Sequence, residues 1–237
     1  MVKTVMFDLD GTLLPFVQDE FVKYYFGGLC RKLAPYGYDD PDSIVKYVWK
    51  GTGAMIKNDG SRPNSGAFWE VFRSAFPDKP DAREFCDDFY TKEFDAVKQC
   101  LKHVPDHKPM LERLKSAGAE TVLATNPIFP ECAVATRLAW VGLSLSDFKL
   151  VTHYDNSTFC KPNPKYYEEL LKKLGRQPSE CIMIGNSVGE DILPAKSLGI
   201  GSFLVTDFIE NPENADISEF ARGTVEDAEK FALEKLG

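Results

Sequence analysis

The feature that most constrains this chain is a short apolar run that ends in two acids. Val5, Met6 and Phe7 have the character of a buried strand, and the chain then delivers Asp8 and Asp10 into a turn begun by Gly11 and Thr12. Carboxylates one residue apart at a strand end repel each other, so a fold that keeps them there needs a compensating charge. A divalent cation and phosphoryl chemistry supply one. An Asp can attack phosphorus covalently while a second carboxylate transfers protons.

Two textures alternate along the rest of the chain. Residues 5–7, 121–124, 150–152, 181–184 and 202–205 are short apolar runs, separated by amphipathic stretches at 110–117, 132–141 and 166–174. Gly118 and Gly175 stand where two of those helices would end. Strands alternating with helices predict an α/β fold with parallel strands covered on both faces. In such sheets ligands bind at the carboxyl ends of the strands, beside a topological switch. Asp8, Thr125 and Asn186 each follow an apolar run, which places the expected site there.

Residues 16–102 lack a strand pattern and are dense in aromatics. Phe21, Val22, Tyr25, Phe26, Leu29 and Leu33 recur at helical spacing, as do Ile44, Val45, Val48 and Trp49. Phe68, Trp69, Phe72 and Phe76 form a third stripe, with Phe85, Phe89 and Val97 in a fourth segment. Such stripes are most often core, and together they predict four helices.

At 237 residues and 43% hydrophobic, the chain can form one large core, or a core with an appended module. Its 28 basic and 36 acidic residues give a net charge of −8, with no basic run of five or more. That argues against a nucleic-acid surface, which needs clustered Lys and Arg. No apolar stretch approaches the ~20 residues that span a bilayer, and the N-terminus lacks a signal-peptide pattern. The six cysteines (Cys30, Cys86, Cys100, Cys132, Cys160 and Cys181) have no CxxC spacing, which predicts reduced thiols and a cytoplasmic location. Cys160 adjoins Lys161, so either a lowered thiol pKa or an ordinary loop position is open to it.

Taken in order, the motifs are FDLDGTLL with Asp8 and Asp10, then Thr125, Lys161 in KPNP, and the Gly185-Asn186-Ser187 turn leading to Glu190 and Asp191. The series resembles the haloacid dehalogenase superfamily, in its phosphatase-like branch with a helical cap after the first strand. The resemblance implies a Rossmann-like parallel-sheet core of residues 1–15 and 103–237, with an inserted all-helical cap domain of residues 16–102 over the active site. It implies a Mg²⁺-dependent phosphatase for a small phosphorylated metabolite, acting through an aspartyl-phosphate.

Carried over by the resemblance, Asp8 is the nucleophile. Asp10 protonates the leaving oxygen and then takes a proton from the hydrolytic water. Backbone N–H groups around Leu9 and Gly11 cup the phosphoryl group. Thr125 donates to a phosphoryl oxygen, Asn126 shapes the next loop, and Lys161 stabilises charge on Asp8. The metal falls to Asp8, Asp10, Asn186 and Asp191. Asn186 departs from the pattern, since family members usually carry Asp there; losing that charge predicts weaker Mg²⁺ binding.

Several bland readings stand beside these. Thr125-Asn126 is also an ordinary turn, and Asp191 could merely cap a helix over 192–198. His103, His107 and His153 do not form a metal site, because Pro105 breaks any helix aligning the first two. In the polar stretch Asn58–Asn64, Arg62 either grips a second anionic group of the substrate or sits in a plain interhelical loop. A sugar phosphomutase, a phosphonate hydrolase using Lys46, Lys50 or Lys57, and a non-catalytic binding protein remain as alternatives, and Asp10 argues against dehalogenation. The expected partner is a small phosphorylated substrate, with no nucleic acid or membrane, and the chain a monomer or small homo-oligomer.

Overall fold

The centre of the molecule is β1 (Thr4–Phe7), whose four residues are all buried. A strand with no solvent face reads as a continuous apolar run because helices cover both sides of a parallel sheet. The computed structural model describes residues 1–15, 17–101 and 103–237. Residues 16 and 102, the expected limits of the inserted module, lie outside that description.

On one side of β1 lie β2 (Glu120–Leu123) and β3 (Leu150–Val151). On the other lie β4 (Cys181–Gly185), β5 (Gly201–Val205) and β6 (Arg222–Gly223), giving the order β3-β2-β1-β4-β5-β6 with every pair parallel. The chain builds outward from β1 in one direction, then restarts at β4 and builds outward in the other. A topological switch therefore opens between β1 and β4. Phe7 is in register with both Leu123 and Ile184, so the residues that follow them emerge side by side at one end of the sheet.

Between β1 and β2 the aromatic stripes fold as α1 (Gln18–Leu33), α2 (Pro41–Ile56), α3 (Asn64–Ala75) and α4 (Ala82–Lys92). Local chemistry fixes their starts: Asp40 accepts hydrogen bonds from the N–H groups of Asp42 and Ser43, and Asp81 from that of Arg83. Asn64, fully buried at the start of α3, pins this insertion to the sheet's loops. Its Nδ2 donates to the Pro127 and Phe159 carbonyls at 3.3 and 3.4 Å and to Cys160 Sγ at 3.2 Å.

The sheet is covered by α5 (Lys108–Ser116), α6 (Glu131–Trp140) and α7 (Pro164–Leu174), close to their sequence-predicted limits, and by two further helices towards the C-terminus. The helix expected over 192–198 is instead a π-type turn at Val188–Ile192 running into the short α8 (Leu193–Ser197). Strand β6 and α9 (Val225–Leu236) have no counterpart in the sequence reading.

Candidate active site

Asp8 leaves β1 at the switch and meets an ammonium group buried from solvent. Lys161 Nζ donates to Asp8 Oδ1 at 2.9 Å and to Asp191 Oδ1 at 2.6 Å, and Lys161 is 1% exposed. The other Asp191 oxygen accepts the Ser187 N–H at 3.0 Å. The π-type turn carries one extra residue per turn and swings Asp191 back over the end of β4. Gly185 makes that approach possible, since a Cβ there would lie 2.2 Å from Asp191 Oδ2.

Burial works against charge on Lys161, but the Asp191 and Asp8 carboxylates outweigh it and hold its pKa well above the ordinary lysine value. Burial likewise pushes the Asp191 carboxyl up, with the Lys161 ammonium opposing it.

Asp10 has a partner that the sequence reading missed. Its Oδ2 accepts from Nη1 of Arg137, a residue of α6 that is 1% exposed and whose guanidinium lies 4.5 Å from the Phe129 ring centroid. Asp10 Oδ1 is buried with no hydrogen-bond partner among the described residues. Burial raises the Asp10 pKa, and the Arg137 cation only partly offsets this.

Asn186 packs against the turn that follows β1. Its Oδ1 accepts from Thr12 Oγ1 at 3.2 Å and its Nδ2 donates to the Phe208 carbonyl at 2.7 Å, which fixes the amide orientation. Gly11, at φ +83°, lies so close that a Cβ would stand 2.2 Å from Asn186 Nδ2. The turn after β1 therefore needs glycine both for its backbone and for its neighbour.

Thr125 is buried, and its carbonyl is tied by Thr152 Oγ1 at 2.7 Å and by the Tyr166 hydroxyl at 3.1 Å. Asn126 Nδ2 donates to Glu190 Oε2 at 3.0 Å and to the Lys161 carbonyl at 3.4 Å. A cavity of about 310 Å³ opens over these groups, with Asp8, Asp10, Thr125, Asn126, Asn186 and Glu190 at one end. From there it runs between the helices of the insertion.

Among the described residues no three His, Cys, Asp or Glu side chains are grouped to hold a metal. The donors at this end of the cavity nonetheless suit a hard divalent cation, because the Asp8 carboxylate and the Asn186 amide present oxygen. Both Asp191 oxygens are already engaged by Lys161 and the Ser187 N–H.

Not every expected residue comes to the site. Arg62 is exposed, pairs with Glu70, and is absent from the described cavity lining. Asn58 Nδ2 donates to the Arg62 carbonyl and to Asn64 Oδ1, both at 2.9 Å, so the polar stretch holds its own turn together. The plain-loop reading wins because those polar groups satisfy one another. Cys160 is also unlike an activated thiol: it is 1% exposed, and burial pushes its pKa up to about 12. His107 Nε2 bonds the Leu13 carbonyl at 2.8 Å, and His153 faces Glu131, so neither meets another histidine.

With this geometry in place, similarity to known proteins adds context. The family profile described as haloacid dehalogenase-like hydrolase matches residues 2–199. The chain is 31% identical over 206 residues to phosphoglycolate phosphatase of Vibrio vulnificus strain CMCP6, covering 86% of this chain and 84% of that one. It is 25% identical over 247 residues to ribulose-1,5-bisphosphate 5-phosphatase of Halopiger xanaduensis, covering 100% of this chain and 97% of that one. Among solved structures, 2-haloacid dehalogenase of Pseudomonas syringae pv. Tomato superposes with a TM-score of 0.65 at 19% identity, over the full length of both chains, a likeness of fold.

Proposed function

The chain belongs to the haloacid dehalogenase-like hydrolases, and from that premise we propose that it is a Mg²⁺-dependent phosphatase of small phosphorylated metabolites. The observation that carries this reading is the buried Asp8–Lys161–Asp191 triad facing an Asp10 held by Arg137.

Asp8 is the nucleophile that attacks phosphorus in line with the leaving oxygen. Lys161, fixed by Asp191, offsets charge on Asp8 and the incoming phosphoryl oxygens. The turn through Leu9 and Gly11 cups that group, and Thr125 supplies a hydroxyl to it. Asp10 offers the proton on Oδ1, the oxygen that Arg137 leaves free, and takes one back from the water that hydrolyses the aspartyl-phosphate. Mg²⁺ would be held by Asp8 and Asn186, with Asp10 contributing only through its main-chain oxygen because Arg137 and the proton take up its two carboxyl oxygens, and would supply the charge neutralisation that a phosphate dianion needs. Asp191 acts through Lys161 instead of as a direct ligand. The helical insertion serves as the cap over this centre.

Two alternatives lose support. Lys46, Lys50 and Lys57 are exposed and absent from the described cavity lining, so none of these three offers itself for phosphonate hydrolysis. A non-catalytic role sits poorly with a full set of polar groups kept buried at desolvation cost. Six free cysteines agree with a reducing cytoplasm, and no helix among the described residues is long and apolar enough to cross a membrane.

The test is phosphate release from a panel of phosphate esters with and without Mg²⁺, run beside Asp8→Asn. Mg²⁺-dependent release that disappears in the variant is the expected result. Equal release by Asp8→Asn would remove the nucleophile and with it this reading.

Asn186→Asp carries a separate expectation. The added charge should lower the Mg²⁺ concentration for half-activation. The lost Nδ2 hydrogen bond to the Phe208 carbonyl should cost about 1–3 kcal/mol of stability in the metal-free protein. Thermal melts with and without Mg²⁺ read both effects. Unchanged metal dependence would show that residue 186 is not a ligand.

A further inference from the structure

The cavity over Asp8 differs along its length. Its charged end carries acids: Asp8, Asp10, Glu190, Asp191 and Glu210. No Lys, Arg or His is among the described residues that line it. Lys161 and Arg137 lie behind this surface, each already paired to a carboxylate. The far part is walled by aromatic rings, among them Tyr25, Phe26, Phe68, Trp69, Phe72 and Tyr90.

These walls offer ring faces more than hydrogen bonds. The Tyr25 and Tyr90 hydroxyls bond each other at 2.7 Å. Trp69 Nε1 is buried and makes no hydrogen bond of good geometry, although it approaches the Tyr154 hydroxyl closely enough to oppose part of that phenol's burial-driven upward pKa shift. The volume, about 310 Å³, lies at the lower end of the ~300–1,000 Å³ typical of small-molecule sites.

A substrate's leaving alcohol must fit this chamber. A second carboxylate or phosphate on it would be stripped of water among aromatic rings and acids with no counter-charge, which strongly disfavours binding. Among the described residues a bare polyol would find only Gln18, Thr52 and Tyr154 as further polar side chains there, and would leave most of its hydroxyls unpaired against ring faces. An uncharged ring has no ion to strip of water there and gains offset or edge-to-face contacts.

We propose that this centre takes phosphate monoesters whose alcohol portion is an uncharged, ring-bearing group of about one ring system. The inference rests on the phosphatase reading. Asp8 forms a bond to phosphorus as the ester P–O bond breaks, and its electron pair leaves on the alcohol oxygen, which receives the Asp10 proton. Water then cleaves the aspartyl-phosphate, its proton returns to Asp10, and the products are the ring-bearing alcohol and inorganic phosphate.

The test compares kcat/KM with Mg²⁺ for benzyl phosphate, 2-phosphoglycolate, ribulose 1,5-bisphosphate and glycerol 3-phosphate. Alongside it, benzylphosphonate and phosphonoacetate, which the enzyme cannot hydrolyse as esters, are titrated calorimetrically. Benzyl phosphate should exceed each of the others by ~100-fold or more, and benzylphosphonate should bind more tightly than phosphonoacetate. Comparable or better turnover of an anionic or polyol ester would overturn the substrate class and leave the phosphatase reading standing. No phosphate from any ester, with benzylphosphonate still the tighter ligand, would overturn the phosphatase reading and support the pocket's preference. Equal binding of the two phosphonates would overturn that preference directly.

Discussion

Lys161→Met should reduce kcat by ~10³-fold or more and lower folding stability by about 3–5 kcal/mol. The two effects share one cause. Lys161 Nζ lies 2.9 Å from Asp8 and 2.6 Å from Asp191, with almost no solvent to replace it. Methionine fills a similar volume but leaves two buried carboxylates facing each other without a cation. Removing one partner of a buried ion pair costs more than the pair itself contributes, because the remaining charge is stranded.

The sign of the pH dependence follows from the same geometry. Burial pushes the Asp191 pKa up and Lys161 opposes that rise, so the variant's Asp191 should titrate higher still. A group with a raised folded-state pKa contributes stability at low pH that is lost as pH climbs through that value. The parent's Asp191 is already raised to about 7, so in urea melts the variant's deficit relative to the parent should widen as pH climbs above about 7 and stay nearly level between pH 5 and 7. A deficit equally level above that value would mean that the stranded carboxylates are not its source. A stable variant that keeps most of its kcat would remove Lys161 from the chemistry.

The parts of this site visible in the sequence are those whose signal is local. An apolar run ending in Asp8 and Asp10 is legible because the strand and its acids are contiguous, and the α1–α4 stripes are legible because helical spacing repeats within a window. Asn186 stands out only through the family resemblance, where it takes the place of the usual Asp. Strand β6 is only Arg222–Gly223, an edge pairing with no apolar run to announce it. The π-type turn at Val188–Ile192 depends on Asp191 reaching Lys161, 30 residues away in sequence, which no local preference encodes. Arg62 stays open to either reading in the sequence because an arginine in a polar stretch looks available. Its true partner, Glu70, lies two helical turns further on. Arg137 is the opposite case. In sequence it is a cation in the last turn of a helix, where arginine favours the dipole. Only the fold shows it buried against Phe129 and joined to an acid 127 residues distant.

That hidden arginine carries the second large effect. Arg137→Met should lower kcat for esters of alkyl alcohols by ~10²-fold, while 4-nitrophenyl phosphate loses far less. Arg137 occupies Asp10 Oδ2, fixes the carboxyl plane, and so leaves Oδ1 as the oxygen with no hydrogen-bond partner among the described residues. Without the guanidinium, Asp10 is free to rotate, and the proton is no longer held where an alkoxide leaves. An alkoxide needs that proton because it is a poor leaving group. Nitrophenolate departs readily without it, so the two substrates separate proton delivery from phosphoryl binding. Arg137→Lys should recover part of the alkyl-ester rate, since it restores the cation but not the planar contact over Phe129, which lies 4.5 Å away. A uniform loss across both esters would mark Arg137 as a packing residue only. A loss graded by leaving group, eased by lysine, would mark it as the residue that positions the acid.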